Sequence, residues 1–158
     1  MSAEADLFTL RIVDPAAVEA SAQVWQNFLC AIADTHPRYR NDSSLPPICP
    51  PAMVTAWTRP DDGPVPDGET RTRPVELHHR LKEILGYPHA LVEENELELH
   101  ADVHPGDRIM VEQRLAELGP EEERRGRSGR RWAIELHYRN EDGDVVATER
   151  IRFFAYRT

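Results

Sequence analysis

Apolar and polar residues alternate most clearly in the second half of the chain. Leu97, Leu99 and Ala101 fall on one side of an extended segment, with Glu96, Glu98 and His100 on the other; this period of two predicts a strand over 96–101. The same reading predicts strands over 108–118, over 132–138 (Trp132, Ile134, Leu136 and Tyr138 on one face) and over 145–156. His104-Pro105-Gly106-Asp107 supplies a turn after the first of these strands. Asn140-Glu141-Asp142-Gly143 supplies a short hairpin loop before the last, and the charged run 119–130 reads as a connection.

The first half changes period. Leu7 to Val13 is β-rich and predicts a short strand, preceded by a loose tail over 1–6. Asp14-Pro15 offers an N-cap and a first-turn proline. Val18, Ala22, Trp25, Leu29 and Ile32 then recur at spacings of three and four, which predicts a helix over 16–33 with Trp25 and Cys30 in the core. Asp34-Thr35-His36-Pro37 ends it, because a residue before proline avoids the α region. A proline-rich irregular stretch follows, with a short helical turn over 52–57. Residues 58–73 read as an exposed, mobile loop, and 75–86 as an amphipathic helix stopped by Gly86. Helices first and hairpin-linked strands afterwards predict an α+β fold in a single domain over 1–158, an antiparallel sheet covered on one face by helices.

Composition narrows the function. The 158 residues can bury a core without disulfides or metals, and no apolar run is long enough to cross a membrane. The start has neither the basic nor the apolar region of a signal peptide. With only Cys30 and Cys49 and no CxxC, that predicts reduced thiols in the cytoplasm. A net charge of −9 argues against nucleic acid as a partner. No Cys/His spacing suits zinc, and no glycine-rich nucleotide loop occurs. His78 and His79 stand about 100° apart on a helix and cannot share a ligand, while His100 and His104 flank a turn as surface residues.

Three motifs in order carry a family resemblance over about residues 7–156. Ala33-Asp34-Thr35-His36-Pro37-Arg38-Tyr39 resembles the G-D-x-N-P-L-H signature of MaoC-like hydratases. Ile48-Cys49-Pro50-Pro51-Ala52-Met53 looks like the I-A-P-P-A-M segment of the FAS1-like dehydratase N-terminal subgroup. Val103-His104-Pro105-Gly106-Asp107-Arg108 is similar to the PGD turn of the same superfamily. The resemblance implies a hot-dog fold, a curved antiparallel sheet around a central helix. It extends to the larger, non-catalytic subunit of actinobacterial steroid side-chain enoyl-CoA hydratases. It also implies a coenzyme A thioester as substrate with no resident cofactor, and a catalytic MaoC-like subunit as partner in a heterodimer or heterotetramer. In that subfamily the domain can be joined to a C-terminal OB-type (DUF35) domain.

In the family signature an Asp and the final His polarise the water that adds to the enoyl thioester. Asp34 matches the Asp, His36 replaces the Asn, and Tyr39 stands where the His belongs. Imidazole can take a proton from water near neutral pH, whereas a phenol with a reference pKa near 10 is a poor base. The resemblance thus implies a degenerate site, Asp34, His36 and Tyr39, and a non-catalytic subunit that helps form the substrate tunnel. Pro51, Ala52, Met53 and Trp57 are its candidates for acyl-thioester contact. Arg130 and Arg131, in the run Glu121 to Arg131, are candidates for the coenzyme A phosphates or an acidic partner surface, against a solvated hairpin whose charges balance. Two other readings stay open. One is a binding or scaffold module that recruits an acyl-CoA, an acyl carrier protein or a thiolase-like partner without turnover. The other is a self-sufficient homodimeric hydratase or dehydratase using Asp34 and His36.

Overall fold

The computed structural model describes residues 3–14, 18–39, 44–57 and 75–157. The expected loop over 58–73 lies outside the described residues. Among the described residues four α-helices and six strands follow one another: α1 (Ala3–Leu7), β1 (Arg11–Val13), β2 (Val18–Glu19), α2 (Ala22–Ala31), α3 (Val54–Trp57), α4 (Glu76–Leu85), β3 (His89–Leu99), β4 (Arg108–Arg124), β5 (Arg127–Arg139) and β6 (Val145–Tyr156). The strands form one antiparallel sheet in the order β1-β4-β5-β6-β3, with β2 also paired to β4. Bulges between Leu115 and Glu117, Leu118 and Glu121, and Val92 and Glu94 add twist and curvature to the strands. This is the α+β arrangement expected, and the last strand matches in both bounds.

The core lies between the inner face of the sheet and the helices. Trp132, Ile134, Leu136 and Tyr138 of β5 and Ala147, Ile151 and Phe153 of β6 point to it. They meet Leu77 and Leu81 of α4 and Trp25 and Leu29 of α2. A side chain of the sheet caps α4: the buried Gln113 of β4 accepts the Leu77 amide at 3.0 Å. At the other end Gly86 takes the left-handed conformation (φ 72°), and the Tyr87 amide bonds Lys82 O at 2.9 Å.

Four expectations are corrected. The tail is not loose: residues 3–7 form α1, Leu7 is in the core and Glu4 pairs with Arg130 at 2.8 Å. The helix does not begin at Asp14-Pro15. The Asp14 amide bonds Val111 O, β2 pairs with Arg108 and Ile109, and the Ala20 amide bonds Asp107 O, so α2 starts only at Ala22. The margin of β4 needs hydrogen-bond partners there, and that demand overrides the helical periodicity of the segment. The charged run 119–130 is not a loop. β4 and β5 continue through it as a ladder to a tight Arg125-Gly126 turn, both residues at positive φ. Cys30 is exposed on α2, whereas Cys49 is buried.

The extended hairpin needs Gly129. A Cβ there would come within 2.5 Å of both Ala155 O and the Phe154 ring on the neighbouring strand. Gly129→Ala is expected to cost about 1–3 kcal/mol by overpacking, read as a lower midpoint in urea.

Candidate functional site

The turn after α2 is built by its own backbone. Ala33 is left-handed (φ 55°), the Ala33 amide bonds Cys30 O, and the Asp34 amide bonds Leu29 O at 3.0 Å, a Schellman closure with alanine in the place glycine usually takes. Asp34 Oδ1 then accepts the His36 amide at 2.8 Å. His36 Nδ1 accepts the Arg38 amide at 3.2 Å, and the Tyr39 amide bonds His36 O. The rings of His36 and Tyr39 sit 5.0 Å apart, His36 exposed and Tyr39 half-buried against the core.

These bonds limit the chemistry of His36. A ring nitrogen that accepts an amide hydrogen bond places the proton of the neutral imidazole on the other nitrogen, so Nε2 is a donor. Taking a proton from water would require the ring to release the Arg38 amide. The Asp34 carboxylate in turn holds the His36 backbone.

Arg38 ties this turn to a cleft. Its guanidinium meets Asp102 at 3.1 Å and its carbonyl accepts the Ile48 amide. The Cys49 amide bonds Val103 O at 2.7 Å. The segment carrying Cys49, Pro50 and Pro51 is thereby laid against the chain that leaves β3. Between them opens a cleft of about 370 Å³ lined by Cys49, Pro50, Pro51, Val54, Leu99 and His100, with Asp102 at its margin. That is room for a small apolar group. The Cys49 thiol is pushed up to about 12, by burial first and by the charge of Asp107 second, so it stays protonated and is no nucleophile. His100 bonds Thr148 across the strand at 2.9 Å.

Of the sequence candidates, Pro51 lines the cleft, and Asp34, His36 and Tyr39 join it through Arg38. Ala52 is exposed beside it, and Met53 is buried in the core. Trp57 closes α3, and its side chain lies outside the described residues. Arg130 and Arg131 stand apart. Their partners on β6 are Ala155 and Phe154, whereas the cleft reaches Val146, roughly 30 Å away along the strand. Both carry intramolecular bonds. Arg130 holds Gly119 O and Glu4, and Arg131 holds Glu93 (2.7 Å) and Glu122. Those bonds hold the Glu93 carboxyl below its usual range, Arg131 contributing most. Leu99, His100, Asp102 and Arg38 were not site candidates in the sequence, because contacts between distant segments, Arg38 with Asp102 and Cys49 with Val103, bring them together. Among the described residues no group of three or more His, Cys, Asp or Glu could hold a metal ion, and no helix is long and apolar enough to cross a membrane.

A curved antiparallel sheet over helices, in the order β1-β4-β5-β6-β3, defines a hot-dog domain of the MaoC-like type. Residues 9–149 match the family model "FAS1-like, dehydratase domain region", and the chain belongs to that family. A "Probable enoyl-CoA hydratase alpha subunit" of Thermomonospora curvata is 28% identical over 133 residues; the match covers 80% of this chain and 42% of that protein, so the chain spans less than half of that relative's length. A chain of the ChsH1–ChsH2 complex from Mycobacterium tuberculosis superposes with a TM-score of 0.71 at 21% identity, covering 95% of this chain and 86% of that one. A chain of the C-terminally truncated HadBC (3R-hydroxyacyl-ACP dehydratase) complex from the same organism gives 0.57 at 14% identity, covering 91% and 95%.

Proposed function

We propose that this chain is the non-catalytic subunit of a heteromeric enoyl-CoA hydratase acting on a bulky acyl thioester of the steroid side-chain class, with the proton-transferring Asp/His pair supplied by a partner subunit. The observation that carries the reading is the chemistry of the turn after α2. A phenol occupies the position of the family's imidazole, the Asp34 carboxylate holds a backbone amide, and the nearby His36 uses its acceptor nitrogen on the Arg38 amide. Support also comes from relatives: one is named an alpha subunit, and two structural neighbours are complexes by name. In this reading the cleft beside Pro51 and Leu99 receives part of the acyl group, and coenzyme A arrives as substrate.

The test is hydration of crotonyl-CoA and of a steroid side-chain enoyl-CoA by the chain alone and by the complex co-purified from its native source, followed as loss of the conjugated thioester absorbance. No turnover is expected alone. Turnover is expected in the complex, with the larger kcat/KM on the bulky substrate. In the complex, Tyr39→Phe and His36→Ala should leave kcat far above the roughly 10²–10⁴-fold loss that follows removal of a general base. An isolated chain that hydrates crotonyl-CoA at an enzymatic rate, and loses that rate in Asp34→Asn, overturns the reading.

A further inference from the structure

Five arginines fall in the run Glu121 to Arg131, and the fold divides them. Arg130 and Arg131 are held inside the chain, the first by Gly119 O and Glu4, the second by Glu93 and Glu122. Arg124 also pairs with Glu93 and lies over the Phe154 ring. Arg125 and Arg127 have no described carboxylate within ion-pair distance.

Both stand at the end of the β4–β5 hairpin. The last paired residue of β6 is Tyr156, opposite Gly129, so residues 123–128 run past it as a two-stranded prong, every one of them exposed. The base of the prong is fixed. Ser128 O accepts the Arg157 amide at 2.9 Å, and the Arg127 guanidinium lies 4.6 Å from the centre of the Tyr156 ring, which stacks on His89. Glu123 opposes Ser128, whereas Arg124 opposes Arg127. Successive strand residues alternate faces, so Glu123 points away from the arginine row. Three arginines against one glutamate give the prong a net charge of +2 in a chain of −9.

The turn at the tip adds a second observation. Two residues, Arg125 (φ 52°) and Gly126 (φ 73°), join β4 to β5, both left-handed as a type I′ turn requires. Asparagine before glycine meets that requirement best, because Asn tolerates the left-handed region that other side chains avoid. Arginine is a worse turn former, and Arg125 makes no described hydrogen bond, ion pair or ring contact that offsets this.

We propose that the prong is a docking element for an acidic segment of another protein, one that offers at least two neighbouring Asp or Glu carboxylates to Arg125 and Arg127. Guanidinium forks pair bidentately with carboxylates. A convex prong enters a partner's groove, whereas a small ligand is enclosed by a concave site. The cleft lies roughly 30 Å away along β6, so an acyl thioester seated there is a separate matter. A two-stranded ribbon also fits a nucleic-acid groove, but Glu121, Glu122 and Glu123 lead into this one, and a net charge of −9 repels a polyphosphate. Docking of this kind is independent of the hydratase reading.

The probe is a fluorescein-labelled decaglutamate peptide, titrated by anisotropy at low ionic strength into the full chain and into the complex co-purified from its native source. Saturable binding to both is expected, and high salt should remove it. Arg125→Asn should weaken it at least about tenfold, and Arg125→Asn/Arg127→Gln further. The same Arg125→Asn should raise the midpoint of thermal unfolding by about 1–3 °C, because it installs the preferred turn. Arg80→Gln, an exposed site on α4 with the same change of charge, should leave binding within about twofold. A parent that does not bind, or an Arg125→Asn chain that binds as the parent does, overturns the proposal. So does an Arg125→Asn chain that unfolds more readily, since the arginine would then serve the turn. Equal weakening by Arg80→Gln overturns it as an effect of net charge alone. Coenzyme A or a short DNA duplex bound more tightly than the peptide, and weakened by Arg125→Asn, overturns it in favour of phosphate. Binding by the chain that vanishes in the complex puts the prong inside the subunit contact and overturns it as well.

Discussion

Trp132→Ala is expected to lower stability by about 3–5 kcal/mol, the range for truncating a large buried aromatic. The indole is 1% exposed at the middle of β5, cross-strand from Leu118 on one side and Phe153 on the other. Its Nε1–H donates to Nδ1 of the buried His78 at 3.2 Å, and its ring faces Tyr87 at 6.2 Å. Alanine there removes the apolar contact that seats α4 on the sheet. It leaves a cavity a strand cannot close, because the β-ladder fixes the backbone on both sides. It also strips a buried imidazole of its donor. In a chain of this size the midpoint of thermal unfolding should fall by roughly 10 °C or more. Trp132→Phe separates the parts: it keeps most of the ring but not the donor and should cost less than half as much. A thermal midpoint for Trp132→Ala within about 2 °C of the parent would mean that α4 does not rest on this residue.

Much of that core was legible in the sequence, because a period of two survives wherever one face of a strand is buried. Trp132, Ile134, Leu136 and Tyr138 all point inward as their alternation predicts, and Gly86 stops α4 where a left-handed residue is needed. What was illegible depends on partners far along the chain. The segment around Val18 reads as a helix locally, yet β4 takes it as a strand. The run 119–130 looks like a solvated loop because both its faces are polar, but its arginines and glutamates pair across strands, as Arg131 does with Glu122 and Glu93. The turn carrying Asp34, His36 and Tyr39 was visible as a motif. The cleft it adjoins was not, since Arg38 and Asp102 are sixty-four residues apart in sequence. His78 could have been found: it lies three residues before Leu81 on α4, on the same buried face.

His78 makes stability fall with pH in a predictable window. The ring is buried, stacks on Phe153 at a centroid distance of 3.7 Å and accepts the Trp132 indole proton. Burial, with smaller contributions from His79 and Lys82, pulls its pKa down from 6.5 to about 4. Above pH 6.5 both the folded and the unfolded chain carry it neutral, and stability is unaffected. As pH drops below 6.5 the unfolded chain takes up a proton that the folded chain refuses, so folding weakens steadily until the folded pKa is reached. The gap corresponds to roughly 2 kcal/mol lost by pH 5 and about 3 kcal/mol by pH 4. The upper part of the window is the diagnostic one. The carboxyls of Glu93 and Glu135, both held below their usual range, begin to cost stability only as pH falls below the unfolded value of 4.5. Urea unfolding from pH 7.5 to 5 should show the loss in the parent and not in His78→Gln, whose amide oxygen can still accept from Trp132 but has nothing to titrate. Parallel pH profiles for the two proteins would mean that the imidazole takes up its proton in the folded state as readily as in water, and that the packing of α4 against β5 and β6 opens near neutrality.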